Sequence, residues 1–336
     1  MESDPAPRGT ASAPYSALTP DYVLDALESA GWRGDGHVLA LNSYENRVYQ
    51  VGIEDGPPVV AKFYRPGRWS DAAILEEHAF VAELAEREIP VVAPLPFEDG
   101  QTLRTFGAFR FAVYPRQRGR APEFQGRETL EWMGRFIARI HAVGALQAFR
   151  ARPTLNVVSF GDEPREFLLA QGCIPPDLLD AWQSVAAQAL AGVRRCYERA
   201  GDVRMLRLHG DCHLGNVLWS EDGPHFVDFD DSRMGPAVQD LWMLLSGERP
   251  EMERQLNDVL SGYEDFHDFD PRELYLLEAL RTLRLIHYSA WLARRWDDPA
   301  FPAAFPWFNT PHYWQNRIIE LREQIALMDE APLAVG

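Results

Sequence analysis

The pattern of apolar residues changes character once along the chain, near Pro115. Before it, short runs rich in Val, Phe and Tyr alternate with turn sequences, and after it the apolar residues recur at helical spacing. A chain of 336 residues is long for one compact core, so two lobes are expected. The sequence therefore predicts an α+β protein with a small sheet-rich N-lobe and a larger, mostly helical C-lobe.

The predicted N-lobe covers residues 21–115. Three strand-like runs, HVLAL, RVYQVGI and PVVAKFY, precede a helix over residues 72–88 that Asp71 can cap. Strand character then returns in IPVVAPLPF, TLRTF and FRFAVYP. This order of elements predicts a small antiparallel sheet with one helix.

The segment 116–126 is polar and rich in turn residues, which is typical of a linker. Beyond it, helices are predicted over residues 128–143, 177–200, 236–246, 251–266, 271–296 and 311–328. One pair of short strands interrupts them, around RLHG…NVLWS and HFVDFD. Residues 127–330 are therefore assigned to the C-lobe, and residues 1–20, rich in Pro, Ala and Ser, to a disordered tail.

Composition excludes several classes of function. A net charge of −17 disfavours sequence-independent binding of nucleic acid, which depends on neutralising phosphates. The N-terminus lacks the pattern of a secretory signal, and no apolar run is long enough to span a bilayer. Three widely spaced cysteines argue against both a disulfide framework and a cysteine zinc site. We expect a cytoplasmic monomer with no nucleic-acid or membrane partner.

Lys62 is the one lysine among 33 basic residues. A codon bias that replaces Lys by Arg could leave one lysine by chance. The alternative is that position 62 needs a compact ammonium that a planar guanidinium cannot replace. Glu77 lies on the apolar stripe of the next helix, where a charge is out of place, and it is the predicted partner of Lys62, with Glu76 as the alternative.

In the segment LHGDCHLGNVLW, residues 208–219, several polar residues lie close together between apolar ones. Asn216 follows Asp211 by five residues, which is the spacing of the catalytic Asp and the metal-binding Asn in protein kinases. Asp228 ends a strand in FVDFDD, where kinases have a metal-binding Asp. A lysine, a helix glutamate and these three residues are the parts that phosphoryl transfer from ATP requires.

Five motifs in order resemble known kinases. The motif H-G-D-x-x-x-x-N followed by a strand ending in Asp resembles the aminoglycoside phosphotransferase and choline kinase branch of the kinase fold. More closely, LNSYENRVYQ, VVAKFYRP, LHGDCH, FVD and GPAVQDLWMLL resemble the bacterial stress response kinase A family of Ser/Thr kinases. The resemblance runs from about residue 20 to residue 325 and implies a protein-kinase-like bilobal fold.

The resemblance also implies roles for individual residues. Asp211 would position and deprotonate the acceptor hydroxyl, Asn216 and Asp228 would bind Mg²⁺, and Lys62, oriented by Glu77, would hold the phosphates of ATP. The phosphate-covering loop corresponds to residues 42–46, with Ser43 near ATP, and adenine would bind backbone between Tyr114 and Arg116. The acceptor would be a Ser or Thr hydroxyl of a protein.

Two departures from the family patterns bear on this interpretation. The loop at 42–46 has no glycine, so side chains of Ser43 and Asn46 are expected to take over phosphate contacts. No A-P-E motif follows Asp228, and His209 is followed by glycine where protein kinases have arginine. Control by activation-loop phosphorylation is therefore not expected.

Three other functions stay open at this point. The first is a small-molecule kinase of the aminoglycoside, choline or homoserine type, which an acidic pocket beside Asp211 would favour. The second is a catalytically silent nucleotide-binding protein. The third is a metallohydrolase with His209, Asp211 and His213 as zinc ligands. We interpret His209 instead as a buried residue bracing its loop, Asp240 as an acid holding the backbone of that loop, and Asp230 and Asp231 as supporting residues.

Overall fold

The computed structural model describes residues 15–121, 126–221 and 223–336. The N-lobe strands are β1 Gly34–Leu41, β2 Arg47–Ile53, β3 Gly56–Phe63, β4 Arg104–Phe106 and β5 Phe109–Pro115. They form one antiparallel sheet in the order β1-β2-β3-β5-β4. The predicted small antiparallel sheet is thus confirmed.

Two helices accompany this sheet, α1 Pro20–Ser29 and α2 Asp71–Glu86. Helix α2 belongs to both lobes. Near its start Ile74 packs with Tyr64 and Ala112 of the N-lobe, whereas Phe80 lies in the C-lobe core and its ring contacts Phe149. The helix therefore carries Glu77 to the boundary between the lobes. Its N-cap is Ser70, one residue before the predicted Asp71.

Residues 15–20, assigned to the predicted tail, pack on the N-lobe. Residues 1–14 of the predicted tail lie outside the described residues, but Tyr15 and Leu18 are buried against the sheet. The Tyr15 ring stacks on Phe109, and its hydroxyl donates to the carbonyl of Glu45 at 3.0 Å. Helix α1, which the sequence analysis missed, follows directly with Thr19 as its N-cap.

The predicted strand over residues 89–97 is wrong. This segment is irregular, and Val91 makes an isolated bridge to Phe226 of the C-lobe. Prolines at positions 90, 94 and 96 have no N–H to give to a ladder, so the run does not form a strand, although Leu95 donates to the carbonyl of Val113 in β5 at 2.7 Å. It serves as a connection that ties the two lobes together.

The C-lobe is mostly helical, as predicted. Its helices are α3 Arg127–Gly144, α4 Glu163–Gln171, α5 Pro176–Ala200, α6 Val238–Trp242, α7 Arg249–Tyr263, α8 Leu277–Arg294, α9 Ala300–Ala304 and α10 Pro311–Asp329. The predicted helix over 271–296 is split into a 3-10 segment, Pro271–Leu276, and α8. Helices α4 and α9 were not predicted. No helix in the described ranges is long and apolar enough to cross a membrane.

Two small strand pairs carry the polar segment of the C-lobe. Strand β6 Leu206–Leu208 pairs with β9 Arg233–Gly235, and β7 Val217–Ser220 pairs with β8 Gly223–Phe226. The predicted strand pair around the polar segment is present as β7 and β8. Of the predicted linker 116–126, residues 122–125 lie outside the described residues, and Arg120 pairs with Trp219 of β7.

Candidate active site

The catalytic loop, residues 209–216, lies between β6 and β7 and is held by one buried carboxylate. Asp240 of α6 accepts the N–H of His209 and the N–H of Gly210, both at 2.9 Å. The same carboxylate lies 3.1 Å from Nε2 of the buried His141. Because buried N–H groups are costly without a partner, this carboxylate fixes the path of the loop. The predicted backbone-holding role of Asp240 is confirmed.

Gly210 lets the loop pass close to the chain before β9. Its φ is +86°, and a Cβ at this position would lie 2.2 Å from the carbonyl oxygen of Asp231. Any side chain here would both strain the backbone and collide with it. The contact brings Asp211, the next residue, beside the segment that follows Asp228.

Asp211 lies on the side of the cleft that faces α8. Its Oδ1 accepts from Nη1 of Arg284 at 2.8 Å, and its Oδ2 is 3.4 Å from Nε2 of His213. Burial raises the pKa of the Asp211 carboxyl, but the hydrogen bond with His213 and the charge of Arg284 outweigh burial and hold the pKa below its ordinary value. Asp211 is therefore ionised at neutral pH, as a group that accepts a proton must be.

Asn216 is hydrogen-bonded to the backbone of Asp211 and to the backbone of the residue that precedes Asp228. Its Nδ2 donates to the backbone carbonyl of Asp211 at 2.9 Å. Its own carbonyl accepts the N–H of Val227 at 3.0 Å, and Val227 immediately precedes Asp228. These bonds bring Asp211, Asn216 and Asp228 together.

Asp228 and Lys62 meet across the two lobes. Asp228 adopts left-handed backbone angles, which Asp tolerates better than most residues, and its side chain is 56% exposed. Its Oδ1 accepts from Nζ of Lys62 at 3.0 Å, and Asp230 Oδ1 lies 3.3 Å from the same nitrogen. Burial lowers the pKa of Lys62, but the charges of Asp228 and Asp230 outweigh it and hold the pKa well above its usual value. The structure thus places the amine of Lys62 beside the catalytic loop, with the carboxylate of Asp228.

Glu77 does not form the expected hydrogen bond with Lys62. It is buried, and its Oε2 accepts from Nη2 of Arg152 at 2.8 Å. Burial raises the pKa of Glu77 to about 7, against the opposing charges of Lys62 and Arg152. The alternative, Glu76, accepts backbone N–H groups of residues 150–152 at 2.7–3.0 Å. The ion pairs of the ammonium are with Asp228 and Asp230, and the charge of Glu77 also acts on Lys62, so the orienting role of Glu77 stays a prediction.

Arg152 and Arg68 are site residues that the sequence analysis missed. Arg152 donates to the carbonyls of Asp230 and Ser232 at 2.7 and 3.0 Å while it holds Glu77. Arg68 bonds the carboxylate of Asp230 and that of Asp231. Burial raises the pKa of Asp230, but Arg68 and Lys62 outweigh it and bring the pKa to about 2. In a chain with 32 arginines, no local sequence signal separates these from surface arginines.

The phosphate loop, residues 42–46, is held by side chains rather than by glycine. Ser43 accepts the N–H of Val48 at 3.2 Å and donates to the carbonyl of Asn46 at 3.2 Å. Asn46 is buried, and its Oδ1 accepts the N–H of Arg65 at 3.1 Å. The Asn46 amide oxygen therefore ties the loop to the end of β3, whereas Ser43 is half-buried.

Glu45 ties the same loop to the C-lobe. Its Oε2 accepts from Nε1 of Trp291 at 2.6 Å and lies 2.5 Å from Nε of Arg295. Its Oε1 lies 3.1 Å from Nε of Arg65. Because Glu45 contacts both lobes, the position of the phosphate loop depends on how the lobes meet.

Tyr114 and Arg116 lie where β5 leaves the N-lobe. The Tyr114 hydroxyl is 3.0 Å from that of Tyr64, which is 2.7 Å from Nε2 of His78. His78 is buried, and burial together with the charge of Lys62 lowers its pKa to about 3. Arg116 is exposed just after the strand. The side chain of Tyr114 thus belongs to a buried hydrogen-bonded network.

The histidines of the catalytic loop do not have the arrangement of zinc ligands. His209 is fully buried and its Nε2 lies 3.0 Å from the carbonyl of Val227. His213 Nδ1 accepts the N–H of Gly215 at 2.9 Å. Within the described residues, no group of three or more His, Cys, Asp or Glu is placed to hold a metal ion. His209 braces the loop, as interpreted from the sequence.

Comparison with known proteins gives consistent matches over most of the chain. Residues 37–277 match the phosphotransferase enzyme family. Stress response kinase A of Escherichia coli strain K12 is 46% identical over 319 residues, covering 95% of this chain and 96% of the relative. Serine/threonine protein kinase RdoA of Salmonella typhimurium is 44% identical with the same coverage.

Solved structures with the same fold are kinases of small molecules. Amicoumacin kinase hAmiN, in complex with AMP-PNP and Ca²⁺, superposes with a TM-score of 0.72 at 19% identity and 94% coverage of both chains. A microcompartment-associated aminopropanol kinase gives 0.69 at 18% identity, covering 93% of this chain and 97% of that chain. At such identities the likeness shows the bilobal kinase-like fold. The sequence matches and this fold show that the chain belongs to the phosphotransferase enzyme family. It is an ATP-dependent kinase related to stress response kinase A.

Proposed function

We propose that this chain is a Mg²⁺-dependent protein kinase that transfers the γ-phosphoryl group of ATP to a Ser or Thr hydroxyl. The observation that carries the proposal is the contact of Lys62 with Asp228 beside the catalytic loop. It brings to one cleft an N-lobe lysine and a C-lobe aspartate, the residue types that phosphoryl transfer uses on the phosphates and on the metal ion.

Each residue has a distinct role in the proposal. Asp211 accepts the proton of the acceptor hydroxyl and aligns its oxygen with the γ-phosphorus. When ATP binds, Lys62 gives up part of its contact with Asp228 and contacts the phosphates instead. Ser43 contributes a hydroxyl to the phosphates, and the backbone between Tyr114 and Arg116 binds adenine.

Asn216 and Asp228 are the residues that would hold Mg²⁺. Both offer oxygen, the ligand atom that this ion prefers, and an ion that also binds phosphates needs few protein ligands. The carboxylate of Asp228 is exposed and can therefore serve as one of these few ligands. Lys62 contacts the same carboxylate at Oδ1, which places the ion beside the phosphates that Lys62 would hold. When bound, the ion neutralises charge that builds up on the phosphates.

A protein acceptor is favoured over a small molecule by the sequence relationship. The relative named as a Ser/Thr protein kinase is 44% identical over 95% of this chain, whereas the aminopropanol kinase is 18% identical. The fold alone is shared by both groups. The small-molecule kinase remains the second candidate because the superposed structures act on such acceptors by name.

The test follows labelled phosphate from [γ-³²P]ATP into a generic protein acceptor, into the chain itself and into amino alcohols or aminoglycosides. We expect label in protein, dependent on Mg²⁺. Asp211→Ala should lower transfer by about 1,000-fold because the proton acceptor is lost, while ATP binding measured by calorimetry persists. Label in small molecules but not in protein would favour the second candidate, and full activity of Asp211→Ala would refute the catalytic assignment.

A further inference from the structure

The acceptor side of the catalytic loop carries an arginine that the phosphoryl-transfer roles do not use. Arg284 of α8 donates from Nη1 to Oδ1 of Asp211 at 2.8 Å, and its side chain is 42% exposed. An acceptor hydroxyl must come within hydrogen-bond reach of Asp211. Arg284 therefore borders the place where the acceptor binds.

A cavity of about 230 Å³ lies one helical turn from Arg284 along α8. Tyr288, one turn beyond Arg284 on α8, forms part of its wall and lies within electrostatic reach of Arg284, Arg317 and Tyr44 of the phosphate loop. Trp307 and Tyr313 add aromatic surface, and His312 and Asn316 add polar groups. The cavity is thus aromatic in character, and Tyr288 connects it to the turn of α8 that carries Arg284.

The charge of this cleft is unsuited to a cationic acceptor. Among the described residues that line the cavity, none is Asp or Glu, and Arg317 is basic. Arg317 forms an ion pair with Glu320 at 2.6 Å. Arg284 is bonded to the carboxylate of Asp211, the residue that the acceptor must approach. An amine bound beside Asp211 would meet the guanidinium of Arg284, and like-charge repulsion would disfavour it.

We propose that this cleft binds an acidic peptide segment, in which a carboxylate side chain next to the target Ser or Thr pairs with Arg284. This inference rests on the proposed function and names its substrate class. An Arg–carboxylate pair is geometrically specific and charge-assisted. The aromatic wall offers the kind of surface that is enriched where proteins bind one another.

The pairing also prepares the transfer step. When the acceptor carboxylate takes the guanidinium of Arg284, Oδ1 of Asp211 is released to accept the proton of the acceptor hydroxyl. The hydroxyl oxygen then forms its bond to the γ-phosphorus as the bond from that phosphorus to the β,γ-bridging oxygen breaks, and ADP leaves with the bonding pair. Arg284 thus acts as a positioning and specificity residue.

The experiment uses the full chain and three synthetic peptides of equal length. Each carries one Ser, flanked by Asp and Glu, by Asn and Gln, or by Lys and Arg. We measure kcat and KM with [γ-³²P]ATP at about 0.15 M salt, where long-range repulsion by the acidic protein is largely screened. The wild-type enzyme should favour the acidic peptide over the neutral one by about tenfold in kcat/KM.

Variants at position 284 separate specificity from general loss of activity. Arg284→Gln should reduce the acidic-to-neutral ratio of kcat/KM to about one, and Arg284→Glu should invert the preference toward the basic peptide. The matched control is Arg281→Gln, on the same helix, because Arg281 pairs with Glu278 at 3.0 Å and lies over Trp242. It should leave the ratio unchanged.

The outcomes distinguish this inference from the proposed function. Equal kcat/KM for the acidic and neutral peptides, with transfer intact, would overturn the inference alone, and so would a ratio that Arg284→Gln does not change. Transfer to amino alcohols or aminoglycosides but to no peptide would overturn both. Because the readout is a ratio, a partly impaired Arg284 variant still gives an answer.

Discussion

The catalytic loop and the phosphate loop face the same cleft but are stabilised in different ways. The catalytic loop is anchored inside one lobe, where the fully buried Asp240 accepts two backbone N–H groups and contacts His141. The phosphate loop is anchored between lobes, since Glu45 contacts Arg65 on one side and Arg295 on the other. The first arrangement is independent of lobe closure, and the second depends on it.

This difference assigns separate tasks to the two lobes. A loop anchored in this way would hold the backbone of Asp211 in place for the proposed acceptor. A loop held by ion pairs across the cleft can open for nucleotide exchange when those pairs separate. Lys62 belongs to the second kind, because its ammonium reaches across the cleft to Asp228.

The largest expected effect on stability comes from removing the anchor of the catalytic loop. Asp240→Ala leaves two buried N–H groups without an acceptor and should lower the free energy of unfolding by about 3 kcal/mol. Urea unfolding followed by circular dichroism measures it. The control is Asp265→Ala, which removes a half-exposed ion pair with Arg135 and should cost about 0.5 kcal/mol. Equal urea midpoints for Asp240→Ala and wild type would break the comparison.

Replacing the ammonium that spans the cleft should impair catalysis more than folding. Lys62→Arg keeps the charge but not the shape, so kcat/KM for ATP should fall by about 100-fold. Steady-state kinetics over a range of ATP concentrations measures the loss. Arg110→Lys, which alters a surface pair with Asp71, is the matched control and should stay within about twofold of wild type. Activity of Lys62→Arg within threefold of wild type would show that the lone lysine is fortuitous.

The N-lobe network around His78 should make stability depend on pH. The folded-state pKa of His78 is about 3, below its ordinary 6.5, so the folded state binds this proton less tightly than the unfolded state. The contribution is present above pH 6.5 and is lost as the pH falls toward 3. Between pH 7 and pH 5 the free energy of unfolding should drop by about 2 kcal/mol from this group.

Urea unfolding at several pH values tests this dependence. His78→Phe should reduce the slope of stability against pH, whatever its own effect on stability. His37→Gln, at an exposed position of β1, should leave the slope as in wild type. A slope that His78→Phe leaves unaltered would assign the pH dependence to other groups.

The smallest expected effect concerns the pair that joins the phosphate loop to the C-lobe. A double-mutant cycle of Glu45→Gln and Arg295→Gln should give a coupling of about 1 kcal/mol, which decreases in high salt. The exposed pair of Arg127 and Glu131 on α3 is the comparison cycle and should give about 0.3 kcal/mol. If the coupling energy of Glu45 and Arg295 is no greater than that of Arg127 and Glu131, the phosphate loop does not depend on the interlobe pair.

Local sequence was sufficient for much of this fold. Strands β2, β3 and β5 were predicted from β-branched and aromatic runs, and the long helices from apolar periodicity, because both signals reside in neighbouring residues. The error over residues 89–97 arose because apolar content outweighed the three prolines. Helix α1 was missed although Thr19-Pro20 is a regular start signal for a helix.

In the candidate site, too, features that lie within one short segment were predicted, whereas contacts between distant residues were not. Asp211 and Asn216 were identified by their spacing, and Asp240 by its place after the motif, since one short segment contains what their roles require. The contact of Glu77 with Arg152 was not predicted because the two residues are 75 positions apart, and Arg284 is 73 positions from Asp211. Spacing carries no information about such pairs.

The sequence by itself indicated the two-lobe arrangement, most of the strands and long helices, the lone lysine and the candidate residues for phosphoryl transfer. Only the tertiary structure decided which of the many arginines accompany each acid: Arg152 with Glu77, Arg68 with Asp230, and Arg284 with Asp211. The physical reason is that short-range chain geometry fixes secondary structure and motif spacing. Charge pairing in a cleft depends instead on which surfaces the packed core brings within a few ångströms of each other.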